Sequence, residues 1–297
     1  MKPIIEFQDY SYFYPKEEEA AIKNISVTIN QGEFVGIIGR NKAGKSTACL
    51  SMIGIAPHTI GGDWIGNVIV NGILLDESTV GTITNHVGVV FQDAESQFTQ
   101  ETVEDEIAFA MCNMGIERTE MLNRVKKVAK DCNLTDFLDR SPFQLSGGQQ
   151  QRLAVACLLA LKPEVVILDE STSQLDPIGR DEIFSLVSKL HQLGRTVVMV
   201  DHNIEKIAQY TSKIMVLFDG EVKLYGDTRE ILQQKELLNQ YHIRLPQVTD
   251  AAYGLKEEKG FTTLPITLDE AVGAFSNEDK KGGDISGASY SNEKSCS

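Results

Sequence analysis

The sequence predicts an α/β fold built on a largely parallel sheet covered by helices on both faces. Three observations carry this. The run "FVGIIG" is continuously apolar, as in a strand buried on both sides. Apolar strand-like runs then alternate with helical stretches, and that succession calls for crossovers between parallel neighbours. Finally, "FVGIIG" feeds straight into a glycine-rich loop and a helix beginning near Gly44.

In chain order, "PIIEFQDYSYFY" and "NISVTI" read as strands, the second followed by the turn-forming "NQGE". A strand pair surrounds "NVIVNGILLD", where Asn71-Gly72 is a strong hairpin signal. From Thr102 to about Asp131 the pattern turns helical, opening on a capping box of Thr102 and Asp105. "LSGGQQQR" opens another helix with Ser146 as its N-cap. The strand "EVVILD", the helix "GRDEIFSLVSKLHQLG", the strand "TVVMVD" and the hairpin "KIMVLFDGEVKLYG" complete the order. The main domain is expected over 1–235 with a helical part at about 93–160. A small appendage is expected over 236–275, with an element around "LPITLDEAVGAF", and the Ser-, Gly- and charge-rich stretch 276–297 has too little to bury and should be disordered.

The chain has 297 residues, 42% of them hydrophobic, enough for a full core. Its longest apolar runs fall far short of the roughly 20 residues of a membrane helix, and "MKPIIEFQDY" has no signal-peptide core. A net charge of −14 argues against nucleic acid as a partner. Cys49, Cys112, Cys132, Cys157 and Cys296 show neither a CxxC pair nor metal-ligand spacing, and read as reduced thiols of a cytosolic protein.

The chemistry concentrates in two places. "GRNKAGKS" fits the G-x-x-x-x-G-K-[ST] pattern in its required setting, after a buried strand and before a helix. Backbone N–H groups of Gly39, Arg40, Asn41, Lys42, Ala43 and Gly44 would wrap a nucleotide's phosphates, with Thr47 just beyond. Lys45 would neutralise the β- and γ-phosphates and Ser46 would hold Mg²⁺. "VVILDE" puts Asp169 and Glu170 at the carboxyl end of a strand expected to lie beside this loop. Asp169 suits Mg²⁺, directly or through water, and Glu170 suits the group that orients or deprotonates an attacking water.

Together, "GRNKAGKS", "LSGGQQQR", "VVILDE", "SQLD" and His202 resemble the nucleotide-binding domain of ABC ATPases over about residues 3 to 235. The resemblance implies a P-loop NTPase fold with an antiparallel β subdomain, a mixed core sheet and a helical subdomain. It implies two such domains paired head to tail, with Ser146, Gly147, Gly148 and Gln149 of one presented to the γ-phosphate of ATP held by the other. By the same resemblance Gln92 senses Mg²⁺ and the attacking water, His202 contacts the γ-phosphate, and Asp176 lies in the loop that crosses the interface. Tyr14 matches the aromatic that stacks on adenine, with Phe13 and Tyr12 as rivals. Lys42 and Ala43 stand where glycine and serine are common in the family, and Ser171 where proline or alanine is frequent. None of these removes a phosphate-binding N–H, so ATPase competence is expected.

Within the family, "VVFQDAESQFTQETVEDEIAF" and "TSQLDPIGRDEIF" resemble ATPases of energy-coupling-factor (ECF) transporters, in particular the first half of the double-ATPase form. This implies import of a vitamin or transition-metal ion at the cytoplasmic face of the cell membrane. The implied partners are a second ATPase (self or paralogue), a transmembrane coupling subunit and a small membrane substrate-binding subunit. The alternatives are the ATPase of a conventional binding-protein-dependent importer and a soluble, non-transport ABC ATPase.

Overall fold

The computed structural model describes residues 2–173, 175–256 and 260–276. Two sheets form. In the four-stranded one, β1 (Pro3–Phe13) lies between β2 (Ile22–Asn30) and β4 (Asp63–Val70), and β5 (Ile73–Leu74) closes the edge, all antiparallel. The β4–β5 turn holds Asn71 and Gly72 at φ 49 and 78, the left-handed pair that a two-residue hairpin needs.

The six-stranded sheet uses β3 (Phe34–Ile38), β6 (Val87–Val90), β7 (Val165–Asp169), β8 (Thr196–Val200), β9 (Lys213–Phe218) and β10 (Glu221–Asp227), in the order β10-β9-β3-β8-β7-β6. All neighbours are parallel except β10 on β9. Every residue of β3, β7 and β8 is buried, which accounts for their unbroken apolar sequences.

Successive residues of these strands serve two cores. Val166, Leu168, Val197 and Met199 face a cluster shared with α4 (Val103–Asn113), α5 (Arg118–Asp131), α6 (Gly147–Leu161) and α7 (Pro177–Gln192). Val165, Ile167, Val198 and Val200 face α1 (Lys45–Met52), α2 (Ile55–His58), α3 (Val80–Thr84) and the four-stranded sheet. Burial pushes the Cys132 thiol up to about 12, so this cysteine is an inert core residue. Among the described residues the four cysteines are free; Cys296 lies outside them.

The strand ending in Asp169 is separated by β8 from the strand that feeds the glycine loop, and its carboxyl end still lies beside that loop, as expected, with Glu170 Oε1 3.6 Å from Lys45 Nζ. One expectation needs correction: after the helix Thr228–Leu232, the stretch beyond 235 carries more than an element around "LPITLDEAVGAF", namely helices Lys235–Gln240, Gln247–Gly254 and Leu268–Ser276. Leu238, Ile243, Leu245 and Ile266 join the helix-side core. Gln233 bonds both the carbonyl (3.1 Å) and the N–H (2.9 Å) of Leu264, and the Thr249 hydroxyl donates to Pro265 O at 2.8 Å. Of the stretch 276–297, all but Ser276 lies outside the described residues.

Candidate active site

Buried β3 ends at Ile38, and the chain turns into α1 through the glycine loop. Gly39 passes so close to β9 that a Cβ there would sit 2.3 Å from the Leu217 carbonyl oxygen. Gly44 has φ +97, a conformation open at little cost only to glycine. Lys42 takes φ +66 without being glycine, a strain of roughly 1 kcal/mol, and its side chain is exposed. Arg40 and Asn41 are exposed too, while Ala43 is buried and donates its N–H to Arg40 O at 3.1 Å. Lys45 is buried, and its ammonium donates to the carbonyls of Gly39 (3.2 Å) and Arg40 (3.1 Å), which holds it across the mouth of the loop.

The three aromatic candidates at the end of β1 separate cleanly. Tyr12 is fully buried and donates its hydroxyl to Gly61 O at 2.5 Å. Phe13 pairs with Asp63 across the sheet. Tyr14 packs edge-on against Tyr12, and its hydroxyl lies 3.1 Å from Thr47 Oγ1 on α1.

Although β8 separates β7 from β3, the carboxyl end of β7 reaches the loop. Asp169 is 5% exposed and its Oδ1 has no hydrogen-bond partner. Burial raises its carboxyl above the usual range, and the neighbouring Ser46 hydroxyl and Lys45 ammonium act in the opposite direction. Glu170 follows with φ +50, its N–H bonded to Val200 O at 3.0 Å. Its Oε1 lies 3.6 Å from Lys45 Nζ and 2.9 Å from His202 Nε2. His202, half exposed, stands between β8 and α8 (Ile204–Tyr210). One carboxylate therefore bridges the phosphate-loop lysine and the histidine from three separate elements. Next to it, the Ser171 hydroxyl is buried without a partner.

The donors near Ser46 suit one small hard cation. Asp169 offers an unsatisfied oxygen and Ser46 a hydroxyl beside it, and no cluster of three His, Cys, Asp or Glu exists among the described residues. Mg²⁺ commonly takes one or two protein oxygens and completes its shell with phosphate and water.

On α6, Ser146 and Gln149 form the reciprocal capping box: Ser146 N donates to Gln149 Oε1 at 2.9 Å, and Gln149 N to Ser146 Oγ at 3.4 Å. Ser146 and Gly147 are exposed, so the N–H-rich end of a 15-residue helix faces outward. Asp176 caps α7 through Gly179 N at 2.7 Å. Gln92 sits just past β6 with its side chain exposed, and its carbonyl accepts a hydrogen bond from Gln151 Nε2 at 2.8 Å. Sequence reasoning missed that buried Gln151, whose polarity amid the apolar face of α6 was the available signal.

The other histidines have structural partners. His58 Nε2 lies 2.8 Å from Leu75 O, His86 Nδ1 3.1 Å from Glu164, and His191 Nε2 2.9 Å from Gly32 O; the His242 ring lies beside Phe218. A groove of about 470 Å³ between α5 and α7, lined by Asp131, Arg152, Ile178, Glu182 and Lys189 among others, shares no residue with the Lys45–Glu170–His202 cluster.

A phosphate loop on a central parallel strand, an antiparallel sheet on one face and a helical layer on the other define an ABC-type P-loop nucleotide-binding domain. The ABC transporter family profile matches residues 22–173, and the chain belongs to that family. It is 40% identical, over 86% of its length and 91% of the relative's, to the energy-coupling factor transporter ATP-binding protein EcfA of Enterococcus faecium. Among solved structures it resembles cbiO1 from Clostridium perfringens, part of the ABC transporter complex cbiONQ, with TM-score 0.70 and 30% identity over 85% of this chain and all of that one. A dimeric ATP-binding cassette in a post-hydrolysis state with ADP and Pi matches with TM-score 0.68 and 30% identity, over 76% of this chain and 99% of that one. The chain is thus an ATPase, the ATP-binding subunit of an ABC transporter.

Proposed function

We propose that this chain drives an ECF-type importer, hydrolysing ATP sandwiched between its own phosphate loop and the signature helix of a second ATPase. The observation that carries the catalytic part is the Glu170 carboxylate held between Lys45 (3.6 Å) and His202 (2.9 Å), next to the unsatisfied Asp169 oxygen. Backbone N–H groups from Gly39 to Gly44 receive the β-phosphate, Lys45 swings from the loop carbonyls to the β- and γ-oxygens, and Thr47 extends the cradle. Tyr14, anchored to α1 through Thr47, presents its ring to adenine. Ser46 and Asp169 would hold Mg²⁺, which when bound neutralises charge on the phosphate oxygens. Glu170 orients the attacking water and accepts its proton, and His202 holds Glu170 in place and contacts the γ-phosphate. Gln92 reports on this site to the membrane partner.

Pairing supplies the remaining contacts. Ser146 and Gln149 of the partner brace an exposed helix end through their capping box, from which Gly147 and Gly148 offer N–H groups where the dipole favours a γ-phosphate. Asp176, at the head of α7, lies in the loop that crosses the interface. The dimeric cassette supports this pairing, and the EcfA relative supports the ECF assignment. Among the described residues no helix is long and apolar enough to cross a membrane. By its likeness to the EcfA relative, the chain works from the cytoplasmic face against a transmembrane coupling subunit. A small membrane protein selects the vitamin or metal ion.

Glu170→Gln tests the site. It should bind ATP with unchanged affinity and lose at least about 100-fold in turnover, accumulating the closed pair. Turnover at the parent rate would remove Glu170 from the chemistry.

A further inference from the structure

The two loops that carry Glu170 and His202 are joined by a hydrogen-bonded bridge separate from the Lys45–Glu170–His202 contacts. Thr172, two residues after Glu170, donates its hydroxyl to Asp201 Oδ2. Asp201 Oδ1 accepts the Asn203 N–H at 2.7 Å, and Asn203 Oδ1 caps α8 through Lys206 N at 3.1 Å. Thr172 is 1% and Asp201 8% exposed, so the bridge is sheltered from water. A hydroxyl donating to a carboxylate is among the stronger neutral-to-charged bonds, the more so when buried.

We propose that Asp201 and Thr172 are positioning residues for hydrolysis: they clamp the β7 and β8 loops together so that Glu170 and His202 meet. The geometry shows why a clamp is needed. Glu170 stands at φ +50, a conformation that a non-glycine residue keeps only where its surroundings over-determine it. One constraint is the bond from its N–H to Val200 O, and Ser173 N closes the turn on Glu170 O at 3.1 Å. The bridge is the other constraint, and it acts on both partners: Asp201 immediately precedes His202, and Asn203 immediately follows it. The bridge thereby ties the turn after Glu170 to the loop that aims the imidazole.

The proposal rests on the roles given above to Glu170 and His202, and its test separates the two. Thr172→Val removes the donor, Thr172→Ser keeps it, and Asp201→Ala removes the acceptor. Steady-state ATPase of the full chain is measured alongside its affinity for ATP. Thr172→Val and Asp201→Ala should each lower kcat about 10- to 100-fold with KM and ATP affinity within about twofold. Thr172→Ser should restore kcat to within about threefold, and the double variant should be no slower than either single one, because they break the same link. An unchanged kcat in Thr172→Val, additive losses in the double variant, or a parallel loss of ATP affinity that serine fails to rescue would each overturn the clamp. Glu170→Gln run beside them isolates the underlying reading: full turnover there overturns the site itself, whereas loss there with none in Thr172→Val overturns only the clamp.

Discussion

Asp169 shows how the site works against the stability of its own fold. Its carboxyl is buried at a strand end with one oxygen unsatisfied, and burial raises its pKa above the ordinary 3.8. The native state therefore binds this proton more tightly than the unfolded chain does. From 3.8 up through the raised value, increasing pH costs stability. Asp169→Asn removes the charge, so we expect stability at pH 7 to rise by on the order of 1 kcal/mol and Mg²⁺-dependent turnover to be lost. Thermal unfolding in metal-free buffer, with an ATPase assay, checks both; a less stable variant would show that Lys45 and Ser46 already compensate the charge. Single residues of this kind were legible in the sequence, because an apolar strand that ends in two carboxylates puts charge at the rim of a core, where a cation or a proton must offset it. Thr172 and Asp201 were not legible: each is a common polar residue, and only the β7–β8 pairing brings them together.

Among the elements, α6 is the most exposed to test. Its capping box satisfies the N–H groups of Ser146 and Gln149 within the first turn, and the end it caps, at Ser146 and Gly147, is exposed. Ser146→Arg should leave ATP binding by the single chain intact and stop pairing and hydrolysis, since under the proposed pairing the bulk would land where the partner's γ-phosphate sits. Loss of ATP binding by the monomer would mean that the helix serves its own loop. That helix was plain from "LSGGQQQR", as were β3, β7 and β8 from their apolar runs. The edge strand β6 was hidden, four residues long and running into the loop that bears Gln92. The helices between 228 and 254 were hidden for another reason. Side-chain bonds such as Gln233 to Leu264 and Thr249 to Pro265 hold them in place, and such bonds leave no hydrophobic period in the sequence.

At the scale of the molecule, the six-stranded sheet separates two cores and gathers Lys45, Asp169, Glu170 and His202 at one end. Its carboxyl strand ends supply the chemistry and, past β6, the loop bearing Gln92, while the helical layer supplies the exposed α6 terminus. The fold class was readable because the alternation of strands and helices survives in the sequence; the insertion of β8 between β3 and β7 was not, since strand order is a long-range property. A fold so divided suits an engine that couples ATP-driven pairing to movement of membrane partners. The decisive measurement is affinity capture of the tagged chain from detergent-solubilised native membranes, with mass spectrometry of what accompanies it. A transmembrane coupling subunit, a second ATPase or a second copy, and small hydrophobic substrate-binding proteins are the predicted company. A permease pair with an external binding protein, or soluble partners alone, would contradict the ECF assignment.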